Sequence, residues 1–239
     1  MGKFSEFEFG RSRLPGRAII CASVYSTGRK EAFRRVFDSW STIRGRWIRY
    51  SFARLDSKEY VVLFGIYGAA MMLETVQLLR EGGVESMFMT GSMYAKKLPV
   101  GAIVIPTEIE DRAGIVGIDN PSAVHATPDE KMLVAMREEL ANRKISYTEG
   151  RVSSVPAVLH GIQHVDEHIK HSTEIIGQEM EGSTFLHFTR KHGLKAAALF
   201  YVSDNDRHSI ISGMKGVVEA RRAALKATAD VAAAVLRHF

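Results

Sequence analysis

The sequence has few of the features that mark secreted, membrane-spanning or disulfide-stabilised proteins. It contains a single cysteine, Cys21, which cannot form a disulfide within the chain. No apolar run approaches the ~20 residues that a membrane-spanning helix needs. The first ten residues mix phenylalanine with glutamate and contain no apolar core of a secretion signal. We therefore expect a cytoplasmic protein that does not bind membranes.

A concentrated basic patch with interleaved aromatic residues is also missing. The net charge is +5 and the sequence pI is about 9.3, but lysine and arginine are spread along the chain. The densest region, from Arg11 to Arg35, carries no nucleic-acid-binding motif, so we expect no nucleic-acid partner. Hydrophobic residues make up 46% of the 239 residues, and no linker or repeat divides the chain. We predict a single domain over residues 1–239.

Short apolar runs and helical patterns alternate along the chain. The apolar runs predict buried strands at 17–23, 60–64, 86–89, 100–105 and 196–202. Apolar residues at helical spacing predict helices at 29–37, 69–81, 129–143 and 217–237. The segment 108–128 has no clear period, and we expect it to be a loop near the site. This alternation predicts an α/β fold, in which three layers consist of a mixed central sheet flanked by helices.

Polar residues follow two of the apolar runs. Ile175 and Ile176 lead into Glu179-Met180-Glu181, after which a helical pattern begins. The run 196–202 ends in Ser203-Asp204-Asn205-Asp206. Open α/β sheets bind their ligands at the carboxyl ends of strands. We therefore expect these carboxylates to line one pocket.

Several of these segments, in this order, resemble the nucleoside phosphorylase family, which comprises purine and uridine phosphorylases and their nucleosidase relatives. Glu179-Met180-Glu181 is similar to the family's ribose-binding segment. Further similarity lies in the turn 65–68 with its helix, in Met89-Thr90-Gly91-Ser92 followed by 100–105, and in Val202-Ser203-Asp204. The resemblance covers most of the chain, from about Ala18 to the last helix.

The resemblance implies cleavage of the N-glycosidic bond of a nucleoside. Ribose would contact Glu179, Met180 and Glu181, with Glu181 stabilising the positive charge that develops on the sugar. Asp204 would donate a proton to a purine leaving group. Other residues implied to contact the base are Val158, Gln163 and Ser203. The family also implies a homo-oligomer, a dimer or a hexamer of dimers, because its active site takes residues from across an interface.

The phosphate site departs from the family pattern. The resemblance implies no cofactor, with inorganic phosphate as a co-substrate. The family's glycine and aspartate are missing from the first loop, and Met89 occupies the position of an expected arginine. Ile43-Arg44-Gly45 resembles the segment that supplies an arginine to the neighbouring subunit. The implied phosphate ligands are Arg29, Arg44, Thr90, Gly91 and Ser92.

Other functions remain open from the sequence. A nucleosidase of this family would need a glutamate near the first strand, but no carboxylate precedes Glu31 there. Asp204 favours a purine, whereas Gln163 lies near the position of a uracil-binding glutamine in uridine phosphorylases. A non-catalytic nucleoside-binding relative is the third alternative. The histidines His160, His164, His168 and His171 could share a helical face, but no constellation of known spacing makes them a metal site.

Overall fold

A ten-stranded mixed sheet lies at the centre of the computed structural model, which describes residues 3–23, 26–157, 174–209 and 211–239. The strands are β1 (Arg17–Ala22), β2 (Ser39–Arg44), β3 (Arg49–Leu55), β4 (Lys58–Ile66), β5 (Ser86–Tyr94), β6 (Ile103–Asp111), β7 (His125–Ala126), β8 (Tyr147–Ser154), β9 (Ile175–Glu179) and β10 (Lys195–Asp204). The helices within the described residues are α1 (Lys3–Phe9), α2 (Thr27–Arg34), α3 (Ala69–Glu81), α4 (Ile115–Asp119), α5 (Glu130–Asn142), α6 (Gly182–Lys191) and α7 (Lys215–Leu236).

Helices cover both faces of the sheet. On one face, α3 and α6 contribute Met72, Val76, Leu79, Phe185 and Leu186 to a buried apolar cluster. On the other face, α2, α5 and α7 pack their apolar residues into a second cluster. Strands buried on both faces read as continuous apolar runs, as β1 and β10 do. This arrangement confirms the predicted three-layer α/β fold with a mixed central sheet.

Part of the sheet closes into a ring of five strands. Strand β5 pairs in parallel with β10, which pairs with β6. The ring continues through β8 and β9 and returns to β5. Strands β1, β5 and β10 are parallel, so their carboxyl ends meet at one edge. The ends of these strands and of β9 therefore surround a common space.

The expectation of a loop over 108–128 is wrong. Strand β6 continues to Asp111, and α4 and β7 follow within the same segment. The register between β6 and β8 shifts between Pro106 and Glu108. A bulge of this kind accommodates a proline that cannot donate a backbone hydrogen bond. The polar residues after Pro106 stay in the strand because β7 and β8 pair with them on both sides.

Two further elements lack a strong sequence signal. Strand β2 pairs only with β3 among the described strands and is mostly exposed, so it has no run of buried residues. Helix α1 is anchored by Glu8, whose buried carboxylate accepts hydrogen bonds from the backbone N–H groups of Arg46, Trp47 and Ile48 at 2.9–3.2 Å. This contact joins α1 to the turn between β2 and β3.

Candidate active site

A cavity of about 500 Å³ opens at the carboxyl ends of β1, β5, β9 and β10. Its volume lies within the range of small-molecule sites. Of the residues that we predicted to bind ribose or base, five line this cavity: Glu179, Met180, Glu181, Ser203 and Asp204. The structure thus brings together side chains from two segments that are more than 20 residues apart in sequence, as the pattern of strand ends predicted.

Glu179 is fixed by the backbone of the turn that leads into α6. Its Oε2 accepts hydrogen bonds from the N–H groups of Glu181 and Gly182, each at 2.7 Å. Its Oε1 accepts a hydrogen bond from the Ser154 hydroxyl, which in turn accepts one from the Ser183 N–H at 2.8 Å. Burial nevertheless raises the pKa of Glu179. These contacts make Glu179 a residue that positions its neighbours.

Glu181 is as buried as Glu179, but its carboxyl group has fewer hydrogen-bond partners among the described residues. It is 6% exposed, and its Oε1 accepts a hydrogen bond from the Gly68 N–H at 2.6 Å. Gly68 has a φ of +86°, a conformation that favours glycine, and this conformation directs its N–H to the carboxyl group. Burial, and then the nearby carboxylate of Glu179, raise the pKa of Glu181 to about 8. At neutral pH Glu181 is therefore mainly the neutral acid.

Asp204 lies at the end of β10 and is only partly buried. Its Oδ1 accepts a hydrogen bond from the Ser203 hydroxyl. Burial raises the pKa of Asp204, although the Ser203 hydrogen bond and the charge of Arg221 act in the opposite direction. Asp204 thus keeps its proton to a higher pH than an exposed aspartate.

The segment that follows Asp204 is held by Arg221 of α7, a residue that sequence reasoning missed. Its guanidinium donates to the backbone carbonyls of Ser203, Ser209 and Ser212 at 2.6, 2.7 and 3.1 Å. Its position in an alanine-rich amphipathic helix gives no signal of this contact. Sequence reasoning also missed Ser154, which supports Glu179. These two residues come together only through the pairing of β8 with β9, which the sequence does not reveal.

Of the expected phosphate ligands, Ser92 lines the cavity, beside Ser23 from the end of β1. Thr90 is 1% exposed and pairs with Cys21, which places it within the sheet. Gly91 also lies within the sheet, where a Cβ atom would come within 3.2 Å of the Ala22 carbonyl oxygen. Strands β1 and β5 therefore approach each other closely at Gly91.

The two expected arginines do not line this cavity within one chain. Arg29 lies in the first turn of α2, and its Nη2 donates a hydrogen bond of 3.4 Å to the hydroxyl of Tyr201 on β10. Arg44 lies at the end of β2, in a separate cavity of about 220 Å³ that also includes Arg49. Val158 and Gln163, together with the four clustered histidines, lie outside the described residues.

Comparisons with known proteins show the family of this chain. Residues 17–239 match the family model described as the phosphorylase superfamily. No curated protein matches the chain. Among the described residues, no helix has the length and apolar character required to cross a membrane.

Several solved structures share the fold. A uridine phosphorylase from Vibrio fischeri superposes with a TM-score of 0.82 at 19% identity, covering 95% of this chain and 93% of that one. A purine nucleoside phosphorylase from Toxoplasma gondii gives 0.79 at 15% identity, with 95% and 94% covered. A 5′-methylthioadenosine/S-adenosyl homocysteine nucleosidase from Campylobacter jejuni gives 0.74 at 15% identity, with 94% and 98% covered. The chain belongs to the phosphorylase superfamily.

Proposed function

We propose that this protein is a nucleoside phosphorylase that cleaves the N-glycosidic bond of a purine nucleoside with phosphate, releasing the free base and ribose 1-phosphate. The observation that carries the proposal is that Glu181 and Asp204, two carboxyl groups with raised pKa values, line the same cavity. The reaction needs two such groups, since it builds positive charge on the sugar and negative charge on the departing base.

Glu181 acts on the sugar. Ribose hydroxyl groups that donate hydrogen bonds to its carboxyl group favour the ionised form, so substrate binding lowers the pKa of Glu181 from about 8. The resulting carboxylate is desolvated and held by the Gly68 N–H, and it stabilises the positive charge of the transition state. Met180 offers a polarizable apolar surface to the sugar ring.

Asp204 acts on the base. The Ser203 hydroxyl occupies Oδ1, which leaves Oδ2 to carry the proton. As the bond between C1′ and the base nitrogen breaks, this proton passes to a ring nitrogen of the purine. A phosphate oxygen forms the new bond to C1′, and Asp204 regains a proton from solvent. The raised pKa of Asp204 keeps it protonated closer to neutral pH.

Phosphate enters at the edge formed by β1 and β5. Ser23 and Ser92 offer hydroxyl groups there, and Arg29 of the adjoining helix supplies positive charge close to Cys21. Arg44 lies outside this cavity, and we propose that it serves the site of a second copy of the chain, in a dimer or a hexamer of dimers. A charged bidentate contact from the partner would replace the arginine that Met89 displaces.

Hydrolysis is the second candidate. The cavity has little positive charge to bind phosphate, which favours hydrolysis. Among the described residues, Arg207 is the only lysine or arginine that lines the cavity, and it lies at the end near Asp204. Phosphorolysis is favoured by the edge near β1, because its described lining residues, Ala22 and Ser23, include no carboxylate that could activate water. Uridine phosphorolysis and binding without turnover are the remaining alternatives.

Phosphate dependence of base release tests the proposal. Purine nucleosides and uridine are incubated with the protein in phosphate, or in sulfate of equal ionic strength. We expect base release from purine nucleosides only with phosphate, and a loss of about 10²-fold or more in Glu181→Gln. Equal release in both buffers would establish hydrolysis. Tight nucleoside binding without release in either buffer would establish a binding protein.

A further inference from the structure

Gln178 lines the cavity, but the proposed chemistry assigns it no role. Its side-chain nitrogen Nε2 is buried and has no hydrogen-bond partner among the described residues. An unpartnered buried donor destabilises a folded protein, because the hydrogen bonds that it made to water are not replaced. The side chain as a whole is only half-buried and forms part of the cavity wall, so a rotation of its amide group exposes Nε2 to the cavity, where a ligand can supply the acceptor.

The strand register places Gln178 close to the residue that acts on the base. Tyr94 of β5 pairs with Gln178 on one side and with Asp204 on the other. These three residues therefore form one row across β9, β5 and β10. Neighbouring strands lie ~4.8 Å apart, so the backbones of Gln178 and Asp204 are separated by roughly 10 Å. Both side chains line the same cavity, and this spacing allows them to contact one flat ring.

The middle residue of this row is also bonded to the segment that follows β10. The Tyr94 hydroxyl donates a hydrogen bond to Asp206, two residues beyond Asp204. Met180 follows Gln178 by two residues, in the segment that we assign to ribose. Gln178 thus lies at one end of the row that leads to Asp204 and two residues before the ribose contact, where we place the base of a bound nucleoside.

We propose that Gln178 determines base specificity by donating a hydrogen bond from Nε2 to a carbonyl oxygen of the base, and that the protein therefore prefers 6-oxopurine nucleosides to 6-aminopurine nucleosides. This inference rests on the proposed function. A 6-oxopurine presents its imidazole nitrogen and its carbonyl oxygen as adjacent acceptors, whereas a 6-aminopurine presents an acceptor beside a donor. Protonated Asp204 and Nε2 are two donors, and they match the first pattern.

Two substitutions separate the hydrogen bond from the shape of the side chain. Gln178→Leu removes the donor, and Gln178→Glu keeps the shape but offers only acceptors when ionised. Gln77→Leu is the matched control, because Gln77 lies on α3 and its amide contacts the ring of His192 at 2.9 Å, outside the cavity. The measured quantity is the ratio of kcat/KM for inosine to kcat/KM for adenosine.

We expect the unaltered protein and the Gln77→Leu variant to favour inosine. Gln178→Leu should reduce the ratio by about 10- to 100-fold, the effect of losing one buried hydrogen bond, and Gln178→Glu should reduce it further. Without ligand, Gln178→Leu should unfold at the same or a higher temperature, because it removes an unpartnered donor. A preference for adenosine in the unaltered protein, or equal losses on both substrates, would overturn the inference while leaving the phosphorylase function intact.

Failure of the proposed function gives a different result, namely no base release from any nucleoside. Calorimetric binding of hypoxanthine and adenine then tests Gln178 directly. Gln178→Leu should weaken hypoxanthine binding by about tenfold or more and should leave adenine binding unchanged. Failure of hypoxanthine to bind the unaltered protein, or an equal loss for both bases, would refute the role of Gln178.

Discussion

The buried acid Glu181 should contribute a pH dependence to the stability of the folded protein, and Glu181→Gln should remove this contribution. The pKa of Glu181 is about 8 in the folded protein and 4.5 for an exposed glutamate. Between these values the folded chain holds a proton that the unfolded chain has lost. The contribution of Glu181 to stability is therefore fully present below pH 4.5 and is lost as the pH rises through about 8.

The size of the effect follows from this one proton. One proton of difference changes the free energy of unfolding by about 1.4 kcal/mol per pH unit. Glutamine has a similar shape and stays neutral, so the free energy of unfolding of the variant does not fall as Glu181 would ionise. The stability of Glu181→Gln relative to the unaltered protein should rise by about 2 kcal/mol between about pH 6 and pH 8, and it should level off at higher pH.

Urea unfolding followed by circular dichroism at a series of pH values measures this difference. The protein concentration is held constant, because assembly into oligomers would stabilise the folded chain. Glu138→Gln makes the same chemical change at an exposed position of α5 and serves as the control. A difference between Glu181→Gln and the unaltered protein that does not change with pH would refute the raised pKa of Glu181.

Further predictions concern turnover and the phosphate site. Asp204→Asn should slow purine nucleosides more than a nucleoside whose base is already a good leaving group, since asparagine cannot donate the proton; equal losses would show that Asp204 only shapes the turn. Arg29→Ala should raise the KM for phosphate by several-fold to a hundredfold with less effect on nucleoside affinity, and an unchanged KM would contradict its role. Added salt should raise the same KM, measured at fixed nucleoside concentration. Met89→Arg, at a fully buried position, should destabilise the fold by about 3 kcal/mol or more in urea unfolding, and an unchanged midpoint would contradict this reasoning.

Much of the fold could be predicted from local patterns. The helix predicted at 69–81 matches α3, and the helix predicted at 129–143 matches α5 within one residue at each end. Both have clear apolar periodicity and a recognisable start or stop, such as the Asp129 side chain, which caps the first turn of α5. Strand β2 and helix α1 lack such patterns, because one is an exposed strand and the other is held by a tertiary contact.

The site was predictable where residues at strand ends carry the chemistry. Two strands that end at the same edge brought Glu181 and Asp204 into one cavity, as expected. The supporting residues could not be predicted, because their contacts depend on the register of distant strands. Ser154 and Glu179 are 25 residues apart, and Gln178 meets Tyr94 only through the antiparallel pairing of β9 with β5.

Phosphorus NMR of the products tests phosphorolysis most directly. A purine nucleoside, inorganic phosphate and the protein are combined, and the phosphate signals are followed while the free base is measured by absorbance. We predict one ribose 1-phosphate for each base released, with an equal loss of inorganic phosphate. Base release with an unchanged phosphate signal and free ribose as the second product would contradict the proposed reaction.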